Sequence, residues 1–303
     1  MKQIIYFLQY IGFIFIYFLY KILPLNLSLK VSSFLFRTFG KFSRANKTAI
    51  NNCKYVFPNL KDEEIHNIIK KSWNNLGITI CELLRINDIF IRNKIKYINL
   101  ENIEDFIKNK KQAIFISIHQ SNWEVLVPGL DRIGINIGGI YRHINNNFID
   151  KLILNIRQNS LVSKNSFYTP KGKKSAKDVV DAINNSLSVV LLIDQKDSSG
   201  EEVMFFNKKV KTQTGFLKIA RKYNLPIIPI QNKRIDNGNI ELTFLEPIYH
   251  NNLEINDTQM MEEIHNKVEQ WIKAEPSQWF WHCLLYTSPS PRDLAQSRMP
   301  SSA

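Results

Sequence analysis

A histidine and a glutamate stand close together in the segment SIHQSNWE, residues 117–124. The apolar runs AIFI and VLVPGL flank this segment, so two polar side chains occur where the neighbouring sequence favours burial. A carboxylate that accepts a hydrogen bond from one imidazole nitrogen sets the tautomer and leaves the other nitrogen available as a base. His119 and Glu124 are therefore candidates for a general-base pair. On spacing alone, a structural pair that satisfies buried polarity fits equally well.

Other kinds of site find less support in the sequence. The histidine and glutamate have no nearby third donor and no H-E-x-x-H pattern, so we expect no metal ion. The chain has no G-x-S-x-G elbow, no G-x-G-x-x-G motif and no P-loop, and we expect no cofactor. Three widely spaced cysteines argue against a disulfide framework, and Cys53 and Cys81 are expected to be ordinary reduced thiols.

The elements that would position this pair alternate along the chain from residue 94. The predicted strands are IKYINL, AIFISI, GGIYR, SVVLLI, LPIIPIQ and NIELTFL, and helices are expected to begin near residues 101, 122, 146, 175, 214 and 256. Apolar strands that alternate with helices predict one α/β domain over residues 94–282, with helices on both faces of its sheet. His119 then closes a strand, where ligands usually bind, and Ser121 or Asn122 caps the helix that carries Glu124.

The N-terminus predicts a membrane anchor. The stretch from Gln3 to Tyr20 contains no charged residue, and with the apolar residues beyond Lys21 it approaches the ~20 residues that a membrane span needs. No A-x-A-like cleavage site follows it, and the next residues carry a basic excess, which predicts a cytoplasmic main body. We therefore assign residues 1–25 to an anchoring, transmembrane-type helix and residues 26–93 to a helical membrane-proximal segment. Four tyrosines are expected at membrane interfaces, Tyr6, Tyr10, Tyr17 and Tyr20, and a buried core helix is the alternative.

The charge balance favours anionic partners. A formal net charge of +13 is compatible with nucleic acid, anionic lipid or an acidic carrier protein. No basic stripe interleaved with aromatic residues appears, so we do not expect nucleic acid.

The last residues resemble translated sequencing-library adapter. Residues 283–293, CLLYTSPSPRD, and residues 297–303, SRMPSSA, both correspond to adapter DNA in one reading frame. We therefore expect residues 283–303 to be read-through rather than native sequence, and we expect the codon of His282 to include an adapter base.

Several ordered segments resemble one enzyme family. SIHQSNWE resembles the H-x-x-x-x-[DE] motif of glycerolipid-type acyltransferases, and more closely the H-x-x-N-W-E form of the lipid A biosynthesis acyltransferases, the late lauroyl and myristoyl transferases. The segment from Tyr141 to Arg157 resembles that family's Y-R-x-x-x-N…R motif, LLIDQKD and the residues after it resemble D-Q…F-F-G…P-x-x-P, and PSQWFW resembles Q-W-x-W. The likeness extends from the anchor to Trp281. Asn207 replaces the usual glycine of F-F-G, and His143 stands where proline is common.

The resemblance implies a glycerolipid-acyltransferase-like fold and transfer of a fatty acyl group from acyl carrier protein to a hydroxyl of a lipid A precursor. An alcohol is a poor nucleophile, so a positioned base is needed, contributing typically ~10²–10⁴-fold. His119 is the expected base, with Glu124 as its orienting carboxylate. The resemblance implies no covalent acyl-enzyme.

Other side chains are candidates for substrate contacts. Arg142 is a candidate oxyanion donor or phosphate ligand, with a solvated surface arginine as the alternative. We expect Asp194, at the end of an apolar strand, to hold Arg142 or another basic group. The remaining candidates are Asn122 and Gln195 near the reacting groups, and Arg157 and Arg234 for phosphates of the acceptor or the carrier. The run KGKKSAK is favoured as a solvated loop over a carrier contact, and the sequence does not decide whether Phe205 and Phe206 line an acyl channel or cover the core.

Two alternatives stay open at this point. The chain is an acyltransferase of the same mechanism that acts on another glycolipid, a lysophospholipid or an amino-acid lipid, or it is a non-catalytic membrane-tethered lipid-binding protein whose histidine and glutamate are structural. The geometry of the pair separates catalysis from binding.

Overall fold

Five helices precede the first strand. A computed structural model of the 303-residue chain describes residues 2–171, 173–249 and 255–282, so the predicted adapter residues 283–303 lie outside the described residues. The helices are α1 (Lys2–Ile22), α2 (Leu25–Phe39), α3 (Arg44–Val56), α4 (Asp62–Leu84) and α5 (Ile86–Ile91). Asp62, Glu63 and Glu64 lie in the first turn of α4, where the helix dipole favours negative charge.

A seven-stranded sheet forms the centre of the molecule, and its order is β1-β9-β8-β2-β5-β3-β4. Neighbouring strands run parallel except for the antiparallel pair β8 and β9. The strands are β1 (Ile95–Ile98), β2 (Ile114–Ser117), β3 (Ile137–Tyr141), β4 (Phe167–Pro170), β5 (Ser188–Leu192), β8 (Ile227–Arg234) and β9 (Ile240–Phe244). This mixed, mainly parallel sheet confirms the predicted α/β architecture.

Helices connect the strands and cover the sheet. They are α6 (Glu104–Lys108), α7 (Leu126–Arg132), α8 (Asn147–Gln158), α9 (Lys173–Asn184), α10 (Gly215–Tyr223) and α11 (Asp257–Ala274). Successive side chains of β2 enter opposite cores: Ile114 and Ile116 pack in one apolar cluster, and Phe115 packs in the other. The buried strands therefore read as continuous apolar runs, as predicted.

Two features of the fold were not predicted from the sequence. The edge strand β4 is four residues long and ends at Pro170, and prolines count against strands. A separate antiparallel hairpin, β6 (Lys196–Phe205) with β7 (Lys208–Thr212), is rich in charged residues and lacks a clear apolar alternation. In this hairpin Phe205 and Phe206 are buried in the larger core, which resolves the open question in favour of core packing.

The hairpin turn accommodates Asn207 in place of glycine. Phe206 and Asn207 both have positive φ, 48° and 58°, as a two-residue turn of the left-handed type requires. Asparagine enters this region more readily than most side chains. The turn is further held by Glu269, whose Oε1 accepts the Phe206 N–H at 2.5 Å.

Helix α1 has the length and apolar composition of a membrane span, and it is the one helix among the described residues that does. Most of its surface is exposed, whereas Tyr20 near its end is buried. The alternative of a buried core helix therefore does not apply to α1. The boundaries assigned to the anchor and the membrane-proximal segment remain predictions.

Candidate active site

The register of two parallel strands brings His119 beside Asp194. Strand β2 pairs with β5 so that Ser117 lies opposite Leu192, and each chain continues two residues further to the histidine and the aspartate. The Nδ1 atom of His119 lies 2.7 Å from Oδ1 of Asp194, and the His119 backbone N–H donates to Oδ2 at 2.9 Å. The imidazole is 12% exposed and the carboxylate 1%. The imidazole of His119 is thus partly exposed and is held by a buried carboxylate.

The expected partner, Glu124, does not orient His119. Both oxygens of Glu124 are hydrogen-bonded by the guanidinium of Arg157, Nε to Oε2 at 2.8 Å and one terminal nitrogen to Oε1 at 2.7 Å. The turn explains the difference: Asn122 Oδ1 accepts the Glu124 N–H, and a 3-10 turn over Trp123–Val125 directs the glutamate toward α8. The cap predicted at Asn122 is therefore confirmed, whereas the pairing of His119 with Glu124 was wrong.

The carboxylate of Asp194 is held in its charged form. Burial alone would raise its pKa, but the His119 imidazole, the Trp279 indole N–H and the His119 backbone N–H hold the pKa below its ordinary value. The prediction that Asp194 holds a basic group is met by His119 rather than by Arg142. An ionised carboxylate at Nδ1 retains the proton there and leaves Nε2 as the basic nitrogen.

The basic nitrogen faces Gln195 and two aromatic rings. The side-chain Nε2 of Gln195 lies 3.1 Å from Nε2 of His119. With the proton on Nδ1, the amide N–H donates to the imidazole lone pair. The Trp123 and Phe280 rings lie beside the imidazole, with centroid distances of 5.2 Å and 6.3 Å. Gln195 thus contacts the second imidazole nitrogen beside the Trp123 and Phe280 rings.

The segment over residues 278–281 packs beside the His119 imidazole and Asp194. Trp279 pairs with Gln120 in an isolated bridge, Phe280 N–H donates to the His119 carbonyl at 2.9 Å, and Trp279 Nε1 donates to Asp194 Oδ2 at 2.8 Å. Polar side chains of α3 and α4 hold this segment through its carbonyl groups, Asn52 to Trp281, Ser72 to Trp279 and Asn75 to Gln278. Sequence reasoning had assigned Trp279 no role, and its Q-W-x-W motif was the available signal.

A cavity of about 360 Å³ opens at His119. Its lining includes Trp123, Glu124, Tyr141, Arg142, Arg157 and Gln195. Arg142 is exposed at this cavity, so it can meet an anionic group there. The lining also includes apolar side chains from the sheet, Val190 and Leu191 among them, which offer a surface for a hydrocarbon chain.

Arg157 is positioned by ion pairing within the cavity wall. Burial alone would lower its pKa, but the charge and hydrogen bonds of Glu124 raise it above its ordinary value. The guanidinium also lies over the Tyr141 ring, 5.3 Å from its centroid. This residue is therefore a buried structural cation at the site rather than the phosphate ligand expected from the sequence.

Arg234 is not at this site. Its guanidinium binds both oxygens of buried Glu82 at 2.7 Å and 2.8 Å, and Nε donates to Asn75. Glu82 also accepts from Asn122 Nδ2 at 2.8 Å, so the ion pair supports the turn after His119. The expected phosphate role of Arg234 is corrected to a structural one, since a buried carboxylate needs such a partner.

Of the described residues, the two cysteines, Cys53 and Cys81, have no part in the site. Burial raises the pKa of Cys53 and of Cys81 to about 12 in each case, as for unreactive thiols. Within the described ranges, no group of three or more His, Cys, Asp and Glu side chains could hold a metal ion.

Comparison with known proteins shows the family of the chain and a similarity to solved structures. A family model described as bacterial lipid A biosynthesis acyltransferase matches residues 1–286. None of the curated proteins compared matches the chain. The crystal structure of the 1-acyl-sn-glycerophosphate (LPA) acyltransferase, PlsC, from Thermotoga maritima is similar at 15% identity and a TM-score of 0.40, covering 82% of this chain and 97% of that one. Nothing about the substrate follows from a likeness at that level.

Proposed function

The chain belongs to the bacterial lipid A biosynthesis acyltransferase family, and on this premise we propose that it moves a fatty acyl chain from an acyl carrier protein thioester to a hydroxyl of a lipid A precursor. That it is an acyltransferase follows from the family. The single observation that supports the mechanism is the contact of His119 Nδ1 with Asp194 Oδ1 at 2.7 Å.

His119 is the proposed general base. The acceptor hydroxyl displaces Gln195 from Nε2 and gives its proton to that nitrogen as its oxygen attacks the thioester carbonyl carbon. The tetrahedral intermediate then collapses, the carbon–sulfur bond breaks, and the departing thiolate takes the proton from His119. Asp194 stabilises the imidazolium that exists between the two transfers. Atoms and protons balance without a covalent enzyme intermediate.

Gln195 and Arg142 are the proposed oxyanion donors. The Gln195 amide lies 3.1 Å from His119 Nε2, so a small shift brings its N–H toward an acyl oxygen next to the attacking hydroxyl. Arg142 lines the same cavity. One such donor is worth ~10²–10³-fold in known cases. Glu124, Arg157 and Asn122 are assigned to holding the cavity wall and the catalytic turn.

The net charge supports the proposed partners and location. A charge of +13 favours an acidic carrier protein and the anionic cytoplasmic leaflet. We place the body at the cytoplasmic face of the bacterial inner membrane, with α1 as its anchor, as the basic residues after α1 favour.

The alternative acceptors stay within this proposal's mechanism. Another glycolipid, a lysophospholipid or an amino-acid lipid presents the same nucleophilic group. The non-catalytic alternative is less well supported, because a binding protein has no need of a buried aspartate that orients an accessible imidazole.

The test is acyl transfer in detergent from acyl carrier protein to a lipid A precursor. Wild type, His119→Ala and the control His66→Ala, an exposed histidine on α4, are compared. Transfer that is lost only in His119→Ala, with folding intact, is expected. Transfer that survives in His119→Ala contradicts the mechanism. Transfer only to another lipid hydroxyl favours the alternative acceptors, and lipid binding without transfer to any of these acceptors favours the binding protein.

A further inference from the structure

Helix α1 has two chemically different faces. Tyr6, Tyr10, Phe13 and Tyr17 are half-buried and Tyr20 is buried, and these positions follow one another at helical spacing. The side chains on the other side of the helix are apolar, are between 50% and 80% exposed and also follow helical spacing. They are Ile4, Leu8, Ile11, Phe15, Phe18 and Ile22. The tyrosines expected at membrane interfaces are thus turned toward the protein.

The tyrosine face packs against the body along most of the helix. Near its start, Asn146 Nδ2 donates to the Tyr6 carbonyl at 2.8 Å and to Gln9 Oε1 at 3.2 Å, and Phe148 contacts the Phe7 and Tyr10 rings. Near its end, Arg85 donates to the Tyr20 carbonyl at 2.8 Å. At the 1.5 Å rise of an α-helix, the stretch from Tyr6 to Tyr20 is roughly 21 Å long.

Helix α8, whose first turn and N-cap contact the first half of α1, is polar on its outer side. Lys151, Asn155 and Gln158 are exposed there. If α1 stood across the ~30 Å hydrocarbon core with these contacts intact, α8 would lie at the same depth with polar groups facing lipid. Such a placement is costly, so the packing favours a different orientation of α1.

We infer that α1 does not cross the membrane but lies in the interface of one leaflet, with its tyrosine face on α8 and its apolar face in the lipid. The lysines at the two ends of α1 fit this orientation. The Nζ atoms of Lys2 and Lys21 lie 5.6 Å and 5.8 Å from the centroids of the Tyr6 and Tyr17 rings, on the tyrosine face rather than the apolar face. This is the geometry of an interfacial amphipathic helix.

The lipid-facing surface continues beyond α1. Leu27 and Phe34 on α2, Phe39 at its end and Phe42 just after it are exposed. Basic groups accompany them: Arg37 lies over the Phe34 ring at 6.0 Å and Lys41 over the Phe42 ring at 5.0 Å. Apolar rings with adjacent cations match the boundary between acyl chains and anionic headgroups, so the occupant is an anionic leaflet.

The arrangement places one wall of the cavity next to the tyrosine face of α1. Ile144 lines the cavity at His119 and also packs in the apolar cluster that includes Phe13, Tyr17 and Tyr20 of α1. A lipid acceptor would then reach the site from the leaflet in which α1 lies. The orientation of α1 itself does not depend on acyl transfer.

The test asks whether the start of α1 and the α/β body of the protein lie on one side of the membrane. A membrane-impermeant maleimide is applied to bacterial cells with permeabilised outer membranes, carrying either Gln3→Cys in α1 or Lys96→Cys in exposed β1, with Cys283→Ser in both. Cys53 and Cys81 are fully buried. We expect both positions to be protected in intact cells and labelled after lysis. Labelling of Gln3→Cys alone in intact cells overturns the inference. Labelling of both keeps α1 on one side and contradicts only the cytoplasmic location.

A second measurement tests whether the apolar face of α1 holds the protein to lipid. Ile11→Asp with Phe15→Asp is compared with Asn155→Asp on the polar side of α8, using vesicles of phosphatidylglycerol and phosphatidylethanolamine. The double variant is expected to bind at least tenfold less, with an unchanged thermal transition, and Asn155→Asp to bind like wild type. Equal binding of wild type and the double variant, or no binding by wild type, contradicts the inference.

Discussion

The indole Nε1 of Trp279 donates a hydrogen bond to Asp194 Oδ2 at 2.8 Å, to the same oxygen that accepts the His119 backbone N–H. The two residues are 85 positions apart in the chain. A carboxylate held by three donors has little freedom to rotate, so Trp279 helps to fix the carboxylate that contacts the His119 imidazole.

Trp279→Phe should lower kcat by roughly 10–100-fold, because it loses a hydrogen bond to a charged group worth ~1.5–3 kcal/mol. With one donor fewer, the Asp194 carboxylate is free to rotate and holds the imidazole of His119 less firmly. Steady-state kinetics measure the loss. Trp281→Phe is the matched control, because it loses an indole hydrogen bond to the Pro276 carbonyl in the same segment without touching Asp194. An equal loss of kcat in both variants would mean a general loosening of the segment.

Asp194→Asn should mainly lower kcat, whereas Glu124→Gln should mainly lower stability. Loss of the orienting carboxylate in Asp194→Asn is expected to lower kcat by roughly 10²–10⁴-fold with a smaller change in KM. Glu124→Gln should act mainly on stability, because its partner is Arg157. Steady-state kinetics and thermal unfolding measure both effects. If Glu124→Gln lost as much kcat as Asp194→Asn while remaining fully folded, Glu124 would have to act on the reacting groups.

The Glu124–Arg157 pair should show strong coupling in a double-mutant cycle. Both side chains are about nine-tenths buried, and removing one partner of a buried pair costs ~3–5 kcal/mol because the other charge is left unpaired. The free energy of unfolding should fall less in Glu124→Gln with Arg157→Gln than the sum of the single changes. Arg157→Lys should not restore it, since lysine cannot form the two-point contact. The exposed pair Glu104 and Lys108 provides a control in which little coupling is expected.

Stability should depend on pH through Asp194. Its pKa in the folded protein is below the ordinary value near 3.9, so its stabilisation is fully present above that pH and is lost as pH falls through the folded pKa. Denaturant unfolding of wild type should therefore weaken below about pH 4 more steeply than unfolding of Asp194→Asn. Parallel curves for the two proteins would show that Asp194 is not held in its charged form.

The hairpin turn should tolerate glycine and reject a branched side chain. Because Asn207 has φ 58°, Asn207→Gly should change the free energy of unfolding by less than about 1 kcal/mol. Asn207→Val should cost more, about 1–2 kcal/mol or above, because a β-branched residue is strained in this region. Thermal unfolding of both variants checks this, and a Val variant as stable as wild type would contradict the left-handed turn.

The sequence by itself determined most of the elements and the position of His119 just after β2. Apolar runs bounded by polar residues marked six of the seven strands of the main sheet, and helix starts were predicted within a few residues. The His119 segment and its Asn122 cap were also evident, because caps and strand ends depend on residues that are near one another in the chain. The hairpin of β6 and β7 was not predicted, because its strands are rich in charged residues and show little alternation of apolar and polar side chains.

Only the tertiary structure decided which carboxylate serves His119. Glu124 is close in the chain, but its direction is set by a 3-10 turn and by Arg157 on another helix. Asp194 is distant in the chain and reaches the imidazole because β2 and β5 are neighbours in a register that aligns their ends. The same holds for Trp279 and for the tyrosines of α1, whose partners lie on elements far away in the sequence. Spacing limits what a side chain can reach, whereas strand order and helix packing determine what it meets.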